Sequence, residues 1–164
     1  MAISLIGAKR VGDDLAAGRV TAADQSLYLI ASFLIWILPA YLYLFPAPRT
    51  VDADFFWTVW LLELAIVVLA CIMGIGFCLR NCRVDPGQNF LIDFSCLNAP
   101  VSLTTLLLVW GAYYAVEAFL PMADVASTRA YDVLRLLASS AAVLVVFVRI
   151  GRHMRRVSSL RERG

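Results

Sequence analysis

A chain of 164 residues that is 62% hydrophobic and 16% charged, with a mean hydropathy of +0.80, lies outside the range of water-soluble domains, which average about 45–50% apolar and about 25% charged residues. The length allows one domain. Fourteen Lys and Arg against twelve Asp and Glu give a net charge of only +2, so the total decides nothing and the distribution along the chain carries the information.

Residues 1–25 form an amino-terminal segment in which Ile3, Leu5, Ile6, Val11 and Leu15 alternate with charges. Such a segment suits a helix lying on a membrane surface as well as an ordinary short tail. It does not read as a cleavable signal, because the apolar run behind it is too long for an h-region and no small-x-small site follows.

A helix of about 20 apolar residues crosses ~30 Å of hydrocarbon. The first predicted span covers about 26–45. Thr21 and Asp24 form a capping-box pattern ahead of it, Pro39 is expected to kink it, and Pro46 and Pro48 end it. The second span covers about 54–79, the third about 99–120 and the fourth about 133–151. Pro100 suits the first turn of the third helix, where a missing N–H costs little, and Pro121 stops its far end. A loop at 80–98 and a basic tail at 152–164 complete the chain. The expected fold is therefore an all-α integral membrane protein: four transmembrane helices in an up-down bundle, with both termini cytoplasmic.

The orientation comes from the basic residues. Lys9, Arg10, Arg19, Arg80, Arg83, Arg149, Arg152, Arg155, Arg156, Arg161 and Arg163 fall on one side, and Arg49, Arg129 and Arg135 on the other. Eleven against three, counted over short loops, places the first group in the cytoplasm by the positive-inside rule. Aromatic residues of the first two spans (Phe33, Trp36, Tyr41, Tyr43, Phe55, Phe56, Trp57, Trp60) suit interfacial belts.

Three ionisable residues fall inside spans. Glu63 lies roughly 13 Å from the outer end of the second helix at ~1.5 Å per residue. Glu117 is about one turn from the outer end of the third, and Arg135 stands at the matching level of the fourth. Charges at such depth cost roughly 2.5–3.5 kcal/mol on insertion scales and face protein or water. Small residues share their stripes: Ala70 and Gly74 with Glu63, and Ala138, Ser139 and Ala142 with Arg135. Two uses are open to the group. It is either a structural ion pair that fixes helix register, or an ion or proton site with Glu63 as the principal carboxylate.

Cys71, Cys78, Cys82 and Cys96 all lie towards the cytoplasmic side, which suits neither a disulfide framework nor a quinone-linked disulfide-forming enzyme. With no C-x-x-C pair and with His153 as the one histidine, no metal site is expected. The loop holds Arg80, Arg83, Asp85-Pro86-Gly87 and Asp93. A tight turn there leads into a short amphipathic stretch (Phe90, Leu91, Phe94, Leu97). Six arginines against Glu162 alone make residues 149–164 a binder of anionic lipid. The absence of aromatic residues there argues against nucleic acid.

No phosphate loop, H-E-x-x-H or G-x-S-x-G pattern occurs, and no cofactor is implied. The sequence therefore leads to a small non-enzymatic protein of a bacterial inner membrane. It would act as a homo-oligomer, or as the embedded subunit or sensor of an assembly with a membrane or cytoplasmic protein partner. Arg80, Arg83, Asp85, Asp93, Arg152, Arg155 and Arg156 are its docking or lipid-binding candidates. The competing expectation is a channel or transporter component whose path Glu63 lines.

Overall fold

The computed structural model describes residues 7–44, 53–82, 86–118 and 125–162, with side chains for 7–36, 54–82, 90–116, 118 and 129–162. These residues form five helices: α1 (Ala8–Ala16), α2 (Ala22–Leu44), α3 (Ala53–Asn81), α4 (Pro86–Glu117) and α5 (Val125–Arg161). Within the last three, Asp54–Asn81, Phe90–Val116 and Arg129–Arg161 are each long and apolar enough to cross a membrane, as expected of an integral membrane protein.

The helices are not packed in chain order. Helix α3 lies mainly on α5, α5 also on α4, and α4 on α2, whereas α2 and α3 do not touch and α3 only grazes α4. The result is a row, α2–α4–α5–α3, with α1 laid across α4 and α5 at one end.

Directions follow from the residue pairs. Contacts on α3 and α5 climb together from Glu63/Arg135 through Gly74/Phe147 to Asn81/Arg155, so these helices are parallel. Helices α2 and α4 are parallel as well: Ser32 Oγ donates to Ser95 O at 3.0 Å and Trp36 Nε1 to Asn98 Oδ1 at 3.4 Å. Between α4 and α5 the order reverses, from Tyr113/Tyr131 through Thr105/Arg149 to Asp93/Arg161, so that pair is antiparallel.

Glycine notches set the α3/α5 contact. A Cβ on Gly74 would come too close to the Phe147 ring to fit, and one on Gly151 too close to the Phe77 ring. Each helix thus receives the other's phenylalanine where it lacks a side chain, the close approach that small residues allow in membranes. The Cys78 thiol donates to Phe147 O at 3.7 Å in the same contact.

Helix α1 uses its apolar stripe on protein rather than on lipid. Val11 and Leu15, four apart, are buried, and the Cα of Gly12 faces Val157 and Leu97. Gly18, at φ 65°, ends this helix in the left-handed conformation that glycine adopts without a Cβ penalty. The capping box ahead of α2 is formed: Asp24 N donates to Thr21 Oγ1 and Thr21 N to Asp24 Oδ2, both at 3.2 Å.

Two boundaries are corrected. Most of the expected loop at 80–98 is helix, because α4 starts at Pro86 and runs through Pro100. Phe90, Leu97 and Val101 are buried on a stripe of helical spacing that Pro100 does not interrupt. Thr104 Oγ1 donates back one turn to Pro100 O at 2.8 Å, the usual local bond of a threonine inside a helix. Likewise the expected tail at 152–164 is, up to Arg161, the end of α5. Val146, Ile150, Met154 and Val157 form one buried stripe across the boundary placed at residue 151.

Candidate functional site

Two sets of buried charge mark the molecule, one near each end of α5. In the first, Glu63 continues the buried stripe of Phe56 and Val59 on α3 and is 1% exposed. Its Oε1 accepts from Ser139 Oγ of α5. Its Oε2 stands 3.4 Å from Arg135 Nη2, which is close enough for an ion pair but not in hydrogen-bonding geometry. The Arg135 guanidinium also lies over the Phe56 ring, 5.3 Å from its centroid, an electrostatic attraction to the π face. Among the described residues, four buried polar atoms here have no hydrogen-bond partner: Glu63 Oε2, Arg135 Nε and Nη2, and Ser140 Oγ.

Of the three charges expected together, Glu63 and Arg135 are therefore adjacent. The side chain of Glu117 lies outside the described residues. Trp110, Tyr113 and Tyr131 cluster near this end, with ring centroids 5.1 Å apart for the first two and 5.4 Å for the last two.

The second set ties the other end together. Arg161 donates through Nη1 to Asp93 Oδ2 at 2.6 Å and through Nη2 to Asp93 Oδ1 at 2.9 Å, with Leu15 O at 3.3 Å from Nη2. Arg155 Nε and Nη2 both donate to Asn81 Oδ1, at 3.0 and 2.7 Å, while Asn81 Nδ2 donates to Phe77 O. Arg156 pairs with Asp13 at 2.9 Å. These three arginines of α5 thus engage α4 and α1, α3, and α1 in turn. Arg80 and Arg152 are exposed at the same end. Arg83 and Asp85 lie outside the described residues.

Asp13 is not among the residues that the sequence singles out, although its partner Arg156 is. Asp13 and Arg156 are 143 residues apart, and no local pattern joins them. Asp93 and Arg161 did carry a signal. Each extends an apolar stripe by one helical turn, Asp93 before Leu97 and Arg161 after Val157, which marks a charge for burial. Cys78, Cys82 and Cys96 are buried, Cys71 is half-buried, and none is in a disulfide. Among the described residues no group of His, Cys, Asp and Glu is placed to hold a metal.

Chemically, the Glu63 site offers one carboxylate, one guanidinium and two hydroxyls at a single level, with hydrogen-bonding capacity to spare. The Asp93 site offers a fully engaged fork that crosslinks helices. The chain matches no protein-family model, no curated protein and no solved structure, so function is argued from these residues alone.

Proposed function

We propose that this chain is a four-span protein of a bacterial inner membrane, with both ends cytoplasmic, that acts by association and not by catalysis. Helix α2 would be the fourth span. The alternating helix directions and the eleven-to-three division of basic residues support that orientation.

The observation that carries the association reading is the crosslinked cytoplasmic end. Arg155, Arg156 and Arg161 bind α1, α3 and α4 into one rigid cap, and Arg80 and Arg152 are left exposed on it. Charges set on a rigid platform are suited to a cytoplasmic or membrane protein partner, because the backbone that carries them is already ordered when the partner arrives.

The test is crosslinking of the tagged protein in native membranes, with the complex sized in mild detergent. Because α5 is part of the core as far as Arg161, point substitutions are the right probe and truncation is not. Arg80→Glu with Arg152→Glu should abolish a stoichiometric complex while membrane insertion is unchanged. A complex of the same size and yield in the double variant would overturn the docking role.

An ion or solute conduit lined by Glu63 is the second reading, favoured by the unbonded Glu63 Oε2. It requires α3 and α5 to part so that Glu63 faces a path between subunits, since Glu63 is closed inside the α3/α5 contact of a single chain.

A further inference from the structure

Arg149 is held differently from every other arginine of α5 described above. Its Nη1 donates to Thr104 Oγ1 at 3.1 Å and to Thr105 Oγ1 at 2.7 Å, both on α4. The two hydroxyls spend their own protons on Pro100 O and Val101 O, at 2.8 and 2.7 Å, so each acts purely as an acceptor towards the guanidinium. No carboxylate among the described residues reaches Arg149. Among the described residues its Nε/Nη2 edge has no protein acceptor either, although Arg155 uses that edge on Asn81 and Arg19 uses it on Asp14. A half-buried guanidinium with one nitrogen clamped and its forked edge unused is aimed at a ligand that accepts two parallel N–H bonds, which is the geometry of a phosphate or carboxylate.

The surroundings narrow the choice. Arg156, two turns further along the same face, already has its counter-ion in Asp13. Arg152, one turn from Arg149, is exposed and adds a second positive charge. On the bilayer side of these two arginines, Val145 and Val148 of α5 and Leu108 of α4 are exposed, Leu108 at 71%. Charge below and bare apolar surface above match an amphiphile with an anionic head and an acyl chain.

We propose that the outer face of the α4/α5 seam at Arg149 binds one anionic phospholipid of the cytoplasmic leaflet. The phosphate sits on the Nε/Nη2 edge of Arg149, Arg152 assists, and an acyl chain lies along Val145, Val148 and Leu108. Basic pockets between membrane helices on this side are suited to such head groups. The inference rests on the membrane reading given above and on its orientation.

The experiment is native mass spectrometry of the full chain after delipidation, titrated with phosphatidylglycerol, with phosphatidylcholine and with inorganic phosphate. One phosphatidylglycerol per chain is expected, bound at least tenfold more tightly than phosphatidylcholine, with no competition from inorganic phosphate at millimolar concentration. Arg149→Gln should weaken it about tenfold or more, Arg149→Lys less, and Arg152→Gln should give an intermediate loss. Equal binding by the parent chain and Arg149→Gln overturns the site, and so does equal binding of the two lipids. Displacement by inorganic phosphate overturns the lipid as its occupant. If Arg149→Gln loses its helical circular dichroism, the Arg149→Lys and Arg152→Gln results decide, and unchanged affinity in both overturns the site. Extraction of the parent chain from membranes by alkaline carbonate would instead remove the membrane reading itself.

Discussion

Two carboxylate–guanidinium pairs lie roughly 40 Å apart along α5 at ~1.5 Å per residue, and they are built to different standards. Asp93 and Arg161 meet fork to fork: both carboxylate oxygens are engaged at 2.6 and 2.9 Å, and a backbone carbonyl takes a further contact. Glu63 and Arg135 approach only to 3.4 Å and leave Oε2, Nε and Nη2 without hydrogen bonds. Removing a charge from water is compensated only when its remaining donors and acceptors are satisfied. By that criterion the Asp93 pair is a fastener that fixes α1, α4 and α5 to one another. The Glu63 pair fixes register through Ser139 and keeps unused bonding capacity.

The largest expected effect comes from breaking the fastener. Asp93 is 3% and Arg161 20% exposed, so Asp93→Ala strands a guanidinium and should cost about 3–5 kcal/mol, the usual penalty for removing one member of a buried pair. Urea unfolding in detergent, followed by circular dichroism, measures it. Adding Arg161→Ala should restore part of the loss, because the unpaired charge goes with it. A loss in the double variant equal to the sum of the Asp93→Ala and Arg161→Ala losses would show that the two side chains are not coupled.

A smaller effect is expected at the other pair. Glu63→Gln keeps an acceptor for Ser139 and forfeits a charge contact that never had hydrogen-bonding geometry, so the expected loss is roughly 1–2 kcal/mol. A loss equal to that of Asp93→Ala would break the contrast between the ends. The same variant separates the two functional readings. Association predicts no ion flux in proteoliposomes for either form, whereas flux by the parent chain that Glu63→Gln abolishes would favour the conduit.

The contrast also explains what the sequence made legible. Apolar runs, the Thr21/Asp24 box and the common level of Glu63 and Arg135 are local or follow from helical spacing, and all three can be read without a structure. The start of α4 was misplaced because Pro100 and the Asp-Pro-Gly turn are strong local punctuation. The stripe of Phe90, Leu97 and Val101, continuous through Pro100, outweighs them. The length of α5 was missed for the converse reason. Arginine density reads as a tail unless Met154 and Val157 are recognised as extending the stripe of Val146 and Ile150. The order of the helices in the row was out of reach. It depends on Phe147 meeting Gly74 and Phe77 meeting Gly151, matches between distant residues that no periodicity encodes.

The smallest effect sharpens the comparison by separating bonding from burial. Asp24 sits at the fully exposed start of α2, where hydrogen bonds from the Thr21 hydroxyl and backbone N–H hold its carboxyl below the ordinary carboxylate value. Its folded value lies below its unfolded one, so the stability from the cap is fully present above the ordinary range near pH 4 and is lost as pH falls through the lowered value. Thr21→Ala removes the stronger of the two bonds and should raise the Asp24 titration part of the way to the ordinary range in a carboxyl NMR experiment, with faster amide exchange confined to the first turn of α2. An Asp24 titration that Thr21→Ala leaves unmoved would sink the cap as the cause. The Asp24 carboxylate accepts two hydrogen bonds as that of Asp93 does, though both fall on Oδ2, and water can replace each of its partners. A global destabilisation by Thr21→Ala approaching that of Asp93→Ala would mean that the number of hydrogen bonds, and not the desolvation behind them, sets the strength of the Asp93 fastener.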